Sequence, residues 1–103
     1  MSGRKPSTKL AGAAKALQEA VKALEDAGLT HVEIMEALRE PLSEVDATLT
    51  DMRRLRREAV VAAYPDRTRT VYELSEASGL ESALITRYAK EAGLELRNRK
   101  RGQ

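Results

Sequence analysis

Arginine and lysine are the residues of this chain whose type and spacing suit them to chemistry. They gather in "RRLRR" (Arg53, Arg54, Arg56, Arg57), in "PDRTR" (Arg67, Arg69), at Arg87 and Lys90, and in the terminal "RNRKRGQ" (Arg97, Arg99, Lys100, Arg101). A guanidinium stays charged at neutral pH and forks onto two oxygens at once, so such groups grip oxyanions, phosphates above all. Catalysis has no comparable set. The chain has no cysteine, which removes thiolate chemistry and cysteine-ligated zinc, and its single histidine, His31, cannot build a metal site alone. Acidic pairs such as Glu25 with Asp26 and Glu36 with Glu40 have no serine elbow, histidine or glycine-rich phosphate loop near them in sequence. Solvated helix surface accounts for them. The expectation is a non-enzymatic protein without cofactor or metal.

The net charge of +2 conceals an asymmetry. Residues 1–50 carry six Lys or Arg against eight Asp or Glu, and residues 51–103 carry twelve against eight, so the halves are −2 and +4. Each phosphate neutralised by a cation releases counterions, and clustering of this kind suits a nucleic-acid backbone. A solvated surface gives the same numbers, so the asymmetry alone decides nothing.

These groups need a frame to position them, and the composition predicts helices. At 103 residues the chain is expected to form one domain, or a small domain with a helical arm. Phenylalanine and tryptophan are absent and only three tyrosines supply aromatic bulk, so the core must be aliphatic. Nothing resembles a membrane span or a signal peptide, and a soluble cytoplasmic protein is expected.

Residues 1–6 read as a flexible basic tail, and residues 7–50 as a helical segment for packing or dimerisation. Leu10, Leu17 and Leu24 recur every seven residues, and Gly28 stops this first helix. Thr30 with Glu33 forms a capping box for a short second helix that is expected to end near Pro41. Ser43 with Asp46 then opens a third, running to about Tyr64. Pro65-Asp66 breaks the pattern, Thr70 with Glu73 makes another capping box, and Leu74 and Ala77 face inward before Gly79. A last helix from about Ser82 to Ala92 is stopped by Gly93. Thr30, Glu33, Ile34, Glu36 and Ala37 echo Thr70, Glu73, Leu74, Glu76 and Ala77 at an offset of forty, without a further repeat to support duplication.

In "TVYELSEASGLESALITRYAKEAGL", Leu74 stands five residues before Gly79, which is placed to take a positive φ at a sharp corner. Leu80 plugs that corner, Ser82 can cap the next helix, and Ile85 and Tyr88 fix it against the first. This segment resembles the helix-turn-helix family of bacterial DNA-binding proteins, in particular the small trihelical kind. The resemblance covers about the last half of the chain, residues 51–96. It departs at Ser75, where alanine is usual, and at Ser78, which replaces an apolar residue.

The resemblance implies an all-α bundle with a carboxy-terminal trihelical helix-turn-helix. Its recognition helix would present Glu81, Ser82, Ala83, Thr86, Arg87 and Lys90. Arg87 would fork onto a guanine or a phosphate, Ser82 and Thr86 would meet base edges or phosphates, and Ala83 a thymine methyl. Arg53, Arg54, Arg57, Arg67 and Arg69 would grip the backbone, and residues 97–103, with Arg97, Arg99, Lys100 and Arg101, would form a basic arm along it.

A different parse makes "VVAAYPDRTRTVYEL" a β-hairpin with Arg67 and Arg69 at its tip. That gives a winged-helix repressor whose recognition helix is residues 43–57. A protein-interaction adaptor and an architectural DNA binder are the alternatives in function. The leading expectation is a transcriptional regulator that binds duplex DNA as a homodimer, since paired half-sites supply affinity that one recognition helix lacks.

Overall fold

The computed structural model describes residues 6–97, and every structural statement below concerns these residues. They form four helices: α1 (Pro6–Glu25), α2 (His31–Ala63), α3 (Val71–Ser78) and α4 (Ser82–Glu91). No strand occurs among them, so the protein is all-α. No described helix is long and apolar enough to cross a membrane. The chain divides into two compact units, Met1–Glu44 and Val45–Gln103.

In the first unit α1 ends at Glu25, and the chain turns through Gly28 at φ 71°. Thr30 then caps α2 in the manner its sequence predicts. Its amide donates to Glu33 Oε1 at 2.9 Å and its Oγ1 accepts from the Glu33 amide at 3.2 Å. Satisfying two otherwise unpaired donors at once fixes where the helix begins. No described side chain of this unit is buried, and only Leu24, Ile34 and Leu38 are half-buried.

The expected break at Pro41 does not occur, because α2 runs through it to Ala63. A proline removes one amide donor and crowds the preceding turn, at a cost of about 3 kcal/mol. Ending the helix would also sacrifice the bonds of the next turn and require a fresh, unfavourable nucleus. Strong helix formers on both sides (Glu36 to Glu40, then Met52 to Ala59) favour continuation, and the Ser43–Asp46 cap signal is left idle on an exposed surface. Pro41→Ala should therefore raise the melting temperature of the helical signal by several degrees, read by circular dichroism. A fall would mean that the ring makes a contact worth more than the missing bond.

In the second unit the carboxy-terminal end of α2 packs with α3 and α4. Val60, Tyr64, Leu74, Ile85 and Ala89 are buried, and Ala63, Val71, Leu80, Tyr88 and Leu94 close around them. Ala77, expected to face inward, is exposed, because Val71 and Leu74 form the inner face of this short helix. The β-hairpin parse is corrected: residues 60–63 belong to α2, and residues 71–74 open α3.

Candidate nucleic-acid interface

The corner between α3 and α4 fixes the direction of α4. Thr70 caps α3 with a complete box, donating to Glu73 Oε1 at 2.8 Å and accepting from the Glu73 amide at 3.0 Å. Gly79, at φ 74°, ends α3 in the left-handed region, its amide donating to the Ser75 carbonyl at 2.9 Å. A Cβ here would touch nothing, so the requirement for glycine is conformational rather than steric. The two serines that depart from the family pattern tie the corner together. Ser75 Oγ donates to the Leu80 carbonyl at 2.6 Å, and Ser78 Oγ accepts from the Leu80 amide at 3.1 Å. Both polar groups of Leu80 are thereby satisfied while its side chain enters the core.

Ile85 and Ala89 are fully buried on the inner side of α4. The opposite side leaves Ala83, Arg87 and Lys90 exposed. Ser82, expected as the cap, is instead the first helical residue, and Glu81 holds the cap position without a side-chain bond. At its other end α4 closes on Gly93 at φ 78°, with the Leu94 amide donating to the Ala89 carbonyl at 3.0 Å. That pattern turns Leu94 back onto the core.

Ser82 and Thr86 line an open groove of about 580 Å³ together with Arg67, Arg69 and Thr70 of the preceding loop. Two of the separately predicted basic groups are thus brought beside the predicted helix. Arg67, Arg69 and Lys90 form no ion pair among the described residues, nor do Arg53 and Arg56. Arg87 has one long pair, 3.9 Å to Glu91.

The remaining predicted arginines are differently employed. Arg54 lies between Asp51, at 3.6 Å, and Glu58, at 3.3 Å, on the surface of α2. Arg57 bonds Glu91 at 2.8 Å and lies over the Tyr88 ring, 4.7 Å from its centre, joining α2 to α4. Arg99, Lys100 and Arg101 lie outside the described residues.

Arg97 corrects the expectation of an arm beginning at residue 97. Its Nη1 donates to the Arg69 carbonyl at 2.5 Å, and its Nη2 to the carbonyls of Tyr64 at 2.6 Å and Asp66 at 3.0 Å. Its amide donates to the Tyr64 hydroxyl at 3.0 Å, and its guanidinium lies over the Tyr64 ring, 4.8 Å from the centre. Its Nε is buried with no partner among the described residues. Attraction of the ring face for the cation offsets part of that cost. Arg97 therefore closes the 64–69 loop onto the core, with its outer donors spent on carbonyls.

Asp66 shapes the same loop. Its Oδ1 accepts from the Thr68 hydroxyl at 2.6 Å and the Thr68 amide at 3.0 Å. These two bonds, the hydroxyl's foremost, hold the carboxyl below the usual aspartate range, with smaller help from the charges of Arg69 and Arg97. A carboxyl with a lowered folded pKa contributes stability that is present above its unfolded pKa and is lost as pH falls through the folded one. The Thr68 amide resonance should accordingly titrate with a midpoint below the ordinary aspartate value, and Asp66→Asn should abolish that transition. A midpoint in the ordinary range would mean that the turn is not formed in solution.

No family model matches the chain, and neither the curated proteins nor the solved structures give a significant match.

Proposed function

We propose that the second unit is a helix-turn-helix that binds duplex DNA, with α4 as its recognition helix, and that the protein is a transcriptional regulator. One observation carries this reading. The exposed side of α4 (Ala83, Arg87, Lys90) continues into a groove where Ser82 and Thr86 stand with Arg67 and Arg69. Polar side chains suited to base edges thus lie beside cations suited to the flanking phosphates. Arg53 supplies a further unpaired cation on α2, while Arg54 and Arg57 are engaged by carboxylates and count for less. Arg97 supports the loop that carries Arg67 and Arg69.

Selection from a random duplex pool, followed by affinity for the winner at two salt concentrations, tests this reading. A defined motif, bound with an affinity that falls steeply as salt rises, is the expected result. Salt-sensitive binding without enrichment would replace regulation with an architectural role. Absence of binding would move the protein to the adaptor class, with the same corner docking a protein.

A further inference from the structure

Apolar residues on α2 keep a second register that the DNA-binding reading leaves unused. Met35, Leu38, Leu42, Val45, Leu49 and Met52 follow one another at alternating steps of three and four, the spacing of a coiled-coil seam. Met35 is 67 % exposed, Leu42 61 %, Val45 39 %, Leu49 38 % and Met52 45 %, and Leu38 is half-buried. Of the positions facing away from this stripe, Glu36, Glu40, Ser43, Glu44, Thr50, Asp51 and Arg54 are polar, and Ala37 and Ala47 are small. A stripe of this kind, exposed over about 26 Å of helix at 1.5 Å per residue, is a surface awaiting a partner.

We infer that the partner is a second copy of this chain, whose α2 lies antiparallel against the first along this stripe. Two features of the sequence select that occupant. The stripe reads Met, Leu, Leu, Val, Leu, Met, nearly the same in either direction. A two-fold axis at its midpoint sets Met35 against Met52 and Leu38 against Leu49, identical residue types, and pairs Leu42 with the smaller Val45 in the central layers. An isologous interface demands this self-complementarity. The flanking charges select the orientation. In the antiparallel arrangement Asp46 falls within about 3 Å, along the axis, of Arg39 of the second copy, and the symmetry forms this pair twice. A parallel pair would oppose Ile34 to Arg39, Pro41 to Asp46 and Thr48 to Arg53, with no ion pair at all.

The chain contains no cysteine, so introduced ones report unambiguously. Sedimentation equilibrium of the full chain should show a reversible dimer, and Leu42→Asp should weaken self-association at least about tenfold. D46R should weaken it several-fold, and R39D/D46R should recover most of the loss, since the pair is restored with its signs exchanged. Met35→Cys and Met52→Cys proteins, mixed and oxidised, should form the mixed disulfide in preference to either self-disulfide. Thermal unfolding of each variant shows whether a loss of association is merely a loss of fold, and the charge exchange is judged only between variants of equal melting temperature. A wild-type chain monomeric at all concentrations would overturn the inference. So would self-linked Met35→Cys as the main product, or no recovery in the charge exchange. None of these readouts involves DNA, so the inference stands or falls separately from the proposed function.

Discussion

Replacing Arg87 and Lys90 together by alanine is expected to cut affinity for a selected duplex by roughly 100-fold at physiological salt, about 3 kcal/mol, through lost base and phosphate contacts. The fold should hardly notice. Both side chains are exposed, Lys90 has no ion pair among the described residues, and the Arg87 pair with Glu91 is long, at 3.9 Å. Exposed ion pairs of that kind contribute well under about 1 kcal/mol, and alanine is the better helix former. Fluorescence anisotropy on the selected duplex, beside a circular-dichroism melt, separates the two effects. Unchanged affinity would remove α4 from the interface and leave the groove around Arg67 and Arg69 to be explained another way.

Local rules written in a few adjacent residues proved easy to read. Both capping boxes, at Thr30 and Thr70, form as their spacing demands, because each is complete within four residues. Gly28, Gly79 and Gly93 all take positive φ where a helix has just ended. The forty-residue echo amounts to those shared caps: the helix after Thr30 runs 33 residues and the helix after Thr70 only eight.

What the sequence concealed were competitions between distant groups. Pro41 carries a local signal to stop, and only the summed preference of both flanks overrides it. The serines at 75 and 78 look like departures from a pattern until Leu80 is seen bonded to both. Ser82 is shaped like a cap, yet the helix begins one residue too early for it to act as one. The basic clusters were plain in composition, but not which members would be neutralised. Arg57 meets a carboxylate 34 residues away, and no local spacing announces that.

Arg97 is the extreme case, and its replacement is expected to have the largest effect on stability of any surface-connected residue. The core of the second unit has five buried side chains among the described residues, one of which, Tyr64, spends its hydroxyl on the Arg97 amide. Arg97→Ala removes three charge-assisted bonds to the carbonyls of Tyr64, Asp66 and Arg69, as well as the stacking on Tyr64. Discounted for partial exposure, the loss should be about 2–3 kcal/mol, enough to lower the melting temperature of so small a unit by roughly 10 °C or more. Lysine should rescue little, because a single ammonium cannot reproduce the fork that reaches three carbonyls. DNA affinity should fall as well, through loosening of the loop that holds Arg67 and Arg69. A chain truncated after Arg97 gives the complementary result: the melting temperature is kept, while loss of Arg99, Lys100 and Arg101 flattens the salt dependence of binding. If Arg97→Ala instead flattened the salt dependence at an unchanged melting temperature, its guanidinium would be facing phosphate in solution, and the loop would have to be held by other contacts.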